Sequence, residues 1–124
     1  MDSRVEEFVR DVAHNVVGLD VALFFQANPG IFDTAAGLAL RLHHKADDIQ
    51  RALDRLAEHG LVEIAQRGEG QYLVYSLCHN AEVWRLLCLL SEAYLDNAET
   101  RKEIVRMLVH QQVEDSSQQE TDRS

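Results

Sequence analysis

One stretch, residues 61–78, constrains the fold of this chain more than any other. LVEIAQ (61–66) alternates apolar and polar residues, RGEG (67–70) supplies a turn, and QYLVYSLC (71–78) returns rich in aromatic and aliphatic side chains. That is the pattern of a β-hairpin. It stands alone, because the apolar residues before and after it recur at helical spacing. A chain of 124 residues patterned in this way is one domain, mostly α with a small β-hairpin.

The segments ahead of the hairpin are short helices with clear punctuation. Residues 46–59 place Ile49, Ala52, Leu53 and Leu56 on one face, Asp47 and Asp48 in the first turn and Gly60 at the end. AAGLALRL (35–42) precedes it, with Asp33 or Thr34 as cap and His43-His44 as the turn between the two helices. LDVALFFQA (19–27) is stopped by Asn28-Pro29-Gly30, and Ile31-Phe32 suits a very short strand. At the start, Ser3 and Glu6 have capping-box spacing, and Val5, Phe8, Val9, Val12 and Val16 predict a helix over 3–17 that Gly18 interrupts. Beyond the hairpin, Asn80 caps a helix at 81–95, and Asp96-Asn97 breaks it before another at 98–110. QQVEDSSQQETDRS (111–124) has a single aliphatic residue and is expected to be a disordered acidic tail. Residues 1–110 are thus expected to form one domain, with a tri-helical unit and hairpin over about 19–78 and flanking helices at 3–17 and 81–110.

Three helices followed by a two-stranded hairpin is the winged helix-turn-helix arrangement. TAAGLALRL (34–42), KADDIQRALDRLAEHGLVEIA (45–65) and RGEGQYLVYSL (67–77) carry the likeness. Leu38-Ala39, the His43-His44 turn, Ile49, Leu53, Leu56 and Gly60-Leu61-Val62 fall where such proteins place them. The chain resembles the winged helix-turn-helix transcriptional regulators of the broad MarR and ArsR type. No metal-binding signature of the ArsR sensors is present. The resemblance implies that double-stranded DNA is the partner, met by the helix at 46–59 in the major groove and by the hairpin as a wing.

Charge complicates that expectation. The chain carries 12 basic and 21 acidic residues, a net charge of −9. Residues 41–75 hold five bases against six acids, while 1–40 hold two against six and 76–124 five against nine. Duplex binders ordinarily show a basic face, since neutralising phosphates supplies most non-specific affinity. Gln50 and Arg51 suit base edges. Arg41, His43, His44, Lys45, Arg55 and Arg67 suit phosphates. Asp47, Asp48 and Asp54 on the same helix oppose them. The rival expectation is therefore a winged-helix protein-interaction module whose acidic surface suits a basic protein partner.

The helix at 81–95 is apolar on more than one side, so something must cover each side. Leu86, Leu89 and Ala93, with Ile104, Val105 and Leu108 of the following helix, are the candidate interface of a homodimer. A third class, a ligand or redox sensor, rests only on Trp84, Tyr94, Cys78 and Cys88. The cysteines and histidines match no zinc spacing, so no metal or cofactor is expected. No nucleophile elbow or phosphate-cradling glycine loop occurs, so the expectation is not an enzyme. The acidic, amphipathic N-terminus is unlike a secretory leader, and no apolar run reaches membrane length, which makes the cytoplasm the expected location.

Overall fold

The computed structural model describes the backbone of residues 1–69 and 72–123, and the side chains of 1–69 and 72–114. The elements follow in the order α1 (Ser3–Phe8), α2 (Val16–Ala27), β1 (Phe32–Asp33), α3 (Ala35–Leu42), α4 (Ala46–Glu58), β2 (Val62–Arg67), β3 (Tyr72–Leu77), α5 (Ala81–Ser91) and α6 (Ala98–Arg123). Two π-helical segments, Val9–Ala13 and Glu92–Asp96, extend α1 and α5. The fold is a winged helix-turn-helix, helical apart from a small antiparallel sheet.

An isolated hairpin is marginal in water, so its position here is set by what covers it. β3 lies between β1 and β2, with Val62 opposite Leu77, Ile64 opposite Tyr75 and Arg67 opposite Tyr72. Phe32 of β1 pairs with Ser76. Alternation turns Tyr75 and Leu77 into the core with Val62, against Leu38, Ile49, Leu53 and Leu56. Further along, Ile64 and Leu73 leave the helical layer and become exposed, and the hairpin projects as a wing.

The N-terminal region departs from expectation in an instructive way. The helix starts on Asp2, whose Oδ1 accepts from the Arg4 amide at 2.8 Å, rather than on Ser3. It widens into the π-helical turn Val9–Ala13 and breaks at His14, where φ is 66°. The Asn15 side chain then caps α2, accepting from the Gly18 amide at 2.9 Å. Gly18 is therefore no breaker. It lies in the first turn of α2, where a Cβ would collide with the carbonyl oxygen of Ala13. A glycine here lets α2 seat directly against the π-helical turn.

The C-terminal helices also differ. α5 keeps the expected cap, with Asn80 Oδ1 accepting from the Glu82 and Val83 amides. α6 begins on Asn97 as expected, but it runs on to Arg123 through the stretch expected to be disordered. That stretch holds no Gly or Pro, and elongating a helix already nucleated is far easier than starting one. Ile104 and Leu108 are 0% and 1% exposed within this single chain. They close the core over Phe8, Leu87 and Leu90, so the expectation that they belong to a dimer interface is corrected. A side chain already covered by its own domain has no surface left to offer a partner.

Candidate nucleic-acid interface

The helix-turn-helix is built from local chemistry. Thr34 Oγ1 accepts from the Gly37 amide at 3.0 Å and starts α3. Gly37 leaves room for the Asp33 carboxylate, which a Cβ would strike. That carboxylate accepts from the Thr34 amide and from Arg41 Nε, both at 2.8 Å. His43 ends α3 in the left-handed region at φ 59°, one of the few non-glycine residues that tolerates it. The chain then turns into α4, whose Ile49, Ala52 and Leu53 are wholly buried and whose Leu56 is nearly so. The opposite face, with Asp47, Arg51, Asp54 and Glu58, is open to solvent or nearly so along its length.

The candidate contact residues divide sharply by what already holds them. Arg55 is turned inward. Its Nε donates to Val12 O at 3.2 Å and its Nη2 to Ala13 O at 3.3 Å, satisfying carbonyls at the end of the π-helical turn. The expectation that Arg55 touches phosphate is corrected, because the guanidinium is committed to backbone some forty residues away. Gln50 is half-buried, and its Nε2 donates both to Tyr75 Oη at 2.8 Å and to Asp54 Oδ1 at 3.0 Å. Both amide protons are thus spent on tying α4 to the sheet, which removes the donor that adenine reading needs. His44 Nε2 lies 2.7 Å from Asp20 Oδ2, bridging the turn to α2.

The remaining cations point outward. Arg51 is exposed and pairs loosely with Asp48 at 2.9 Å, one turn back. Arg41 is exposed on the far side of its pair with Asp33. His43, Lys45 and Arg67 are exposed, and among the described residues none of them forms an ion pair. Arg67 shares a shallow cleft with Phe32, Asp33, Thr34 and Tyr72, so the wing and the start of α3 present one continuous edge. The periodicity of the hairpin did not single out Phe32 and Tyr72, yet they are 63% and 53% exposed on this edge. The signal was strand parity, since Phe32 pairs opposite Ser76, which shares a face with Tyr72 and Val74. The surface is thus an acidic helix face bordered by cations: His43 and Lys45 at the start of α4, Arg41 and Arg67 toward the wing.

The other candidates are placed as follows. Leu86, Leu89 and Ala93 are partly buried against the chain's own core, and Val105 is 41% exposed. Trp84 and Cys78 share a cleft of about 240 Å³ with Pro29 and Leu77, apart from Tyr94. Burial pushes the Cys78 thiol above its ordinary range, and the adjacent Glu63 carboxylate adds to the shift by disfavouring the thiolate. Among the described residues no three His, Cys, Asp or Glu side chains gather in a group that could hold a metal. Likewise, no described helix is long and apolar enough to cross a membrane.

No protein-family model matches this sequence, and no curated protein matches it. Two solved structures share its fold. One is described as a "possible transcriptional regulator" from Methanosarcina mazei Go1, with 16% identity, a TM-score of 0.56, and coverage of 79% of this chain and 86% of that one. The other is a mutant of Lactococcus lactis ZitR, with 14% identity, a TM-score of 0.52, and coverage of 87% of this chain and 73% of that one. At such identities the likeness is one of fold.

Proposed function

We propose that this protein is a transcriptional regulator that binds double-stranded DNA as a homodimer, in the cytoplasm, without catalysing a reaction. The observation that carries the reading is the uncovered outward face of α4, flanked by cations with no ion pair, Lys45 and Arg67, on a winged helix-turn-helix. α4 enters the major groove. Arg51 is its base-reading side chain, since its one surface pair is exchanged for guanine at little expense. Lys45, His43, Arg41 and Arg67 set register on the phosphates. The carboxylates of α4 make non-specific binding weak and strongly salt-dependent. Two structural relatives in fold, one described as a possible regulator, agree with this reading.

A selection from a random duplex pool, followed by anisotropy on the selected sites, tests it. Arg51→Ala is expected to relax preference at one base position, and Lys45→Ala to weaken all sequences alike. Absence of any complex at low salt and micromolar protein removes the proposal.

One observation favours a second reading, that of a protein-interaction module. Asp47, Asp54 and Glu58 face outward on α4, and Phe32 and Tyr72 are exposed beside the wing. Exposed aromatics beside charge are characteristic of protein contacts. In that case α4 charge reversals leave duplex titrations flat and abolish capture of a basic protein.

A further inference from the structure

We infer that α6 pairs antiparallel with α6 of a second copy, across a seam of Val105, Val109 and Val113. The seam rests on the dimeric form proposed above and replaces the surface expected from sequence. α6 packs on its own chain by one face only, through Ile104 and Leu108, with Gln111 Nε2 donating to Arg10 O at 2.7 Å. Val105, Val109 and Val113 lie on another face at successive i, i+4 positions and are 41%, 52% and 59% exposed. Single exposed valines are ordinary, but three in line along one helix form a continuous apolar ridge with nothing over it.

Charge identifies what covers the ridge, and in which direction. The adjacent row is Arg106, His110 and Glu114, running from positive to negative alongside the valines. Glu114 meets His110 within this row at 3.1 Å, while among the described residues Arg106 has no ion pair. A two-fold axis at Val109 turns the second row end for end. Val105 then faces Val113, and Arg106 faces Glu114 of the partner subunit, at both ends of the contact. A parallel arrangement sets each end beside its own kind. The whole helix has the same polarity: residues 98–110 hold three bases and two acids, residues 111–123 one base and four acids. A second copy of this chain is therefore the occupant whose charge and shape the ridge matches.

Disulfide trapping of single-cysteine additions tests the seam, with the unmodified chain as background for Cys78 and Cys88. Val109→Cys is expected to cross-link with itself under mild oxidation. Val105→Cys and Val113→Cys are each expected to stay uncross-linked alone and to cross-link when mixed. Sedimentation of the unmodified chain is expected to give twice 14.1 kDa, and Val109→Glu to return it to 14.1 kDa with unchanged helical circular dichroism. A 14.1 kDa species for the unmodified chain at high micromolar concentration overturns the inference. So does self-cross-linking of Val105→Cys at the rate of the mixture, or a folded Val109→Glu that stays dimeric. No DNA is present, so failure here and failure of duplex binding are read separately.

Discussion

Arg55 offers the sharpest separation between holding the fold and touching a ligand. On the sequence it belongs with Arg51 on a recognition helix; in the fold it binds Val12 O and Ala13 O at 3.2 and 3.3 Å and is half-buried. Replacing it by Met keeps the apolar stem and deletes both bonds. Hydrogen bonds to charged groups contribute about 1.5–3 kcal/mol each. These two are longer than the roughly 2.8 Å of a strong charge-assisted bond and partly wet, so about 1 kcal/mol apiece is appropriate, near 2 kcal/mol together. For a domain of this size that lowers Tm by about 8 °C. Arg51→Met is the control on the same helix: its pair with Asp48 is exposed on both sides and contributes at most about 0.5 kcal/mol. Urea unfolding of both variants, followed by duplex titration of the folded fraction, gives the comparison. Arg55→Met is expected to lose stability and keep affinity, and Arg51→Met the reverse. An Arg55→Met protein of unchanged stability that no longer binds duplex would refute the assignment.

Three further outcomes follow from the same structure. Gly18→Ala places a methyl group against the Ala13 carbonyl and should cost about 2–3 kcal/mol in urea unfolding, whereas Gly30→Ala, with nothing within 4 Å, should be close to neutral. Lys45→Ala and Arg67→Ala should each lower duplex affinity on every sequence and reduce the slope of log affinity against log salt by about one, read by anisotropy. Because burial and Glu63 raise the Cys78 thiol, it stays protonated at neutral pH; its alkylation, mapped by mass spectrometry, should accelerate only at pH above that of an ordinary thiol, and Glu63→Gln should bring the rise to lower pH.

What was legible in the sequence is what short-range chemistry decides. Thr34 capping α3, the inward set Ile49, Ala52, Leu53 and Leu56, and the hairpin closing through 67–70 all depend on residues within a few positions of one another. The unforeseen features depend on distant partners. Gly18 read as a breaker because the turn it packs against, ending at Ala13, is π-helical, and hydrophobic spacing does not distinguish that from an α-helix. Gln50 and Arg55 sit on the helix as base and phosphate readers would, and only the sheet residue Tyr75 and the carbonyls of Val12 and Ala13 reveal that they are engaged. Ile104 and Val105 are neighbours in sequence and both apolar; which of them closes the core depends on how α6 lies across α1 and its π-helical extension.

The central claim is that the open face of α4, with Lys45 and Arg67 beside it, grips a duplex. The most direct measurement is anisotropy of a labelled random-sequence duplex titrated with the protein at two salt concentrations, alongside the Lys45→Ala, Arg67→Ala double variant. Saturable binding that weakens steeply with salt, and weakens further in the double variant, is the predicted result. A flat titration at low salt, or binding indifferent to both salt and the double substitution, contradicts it.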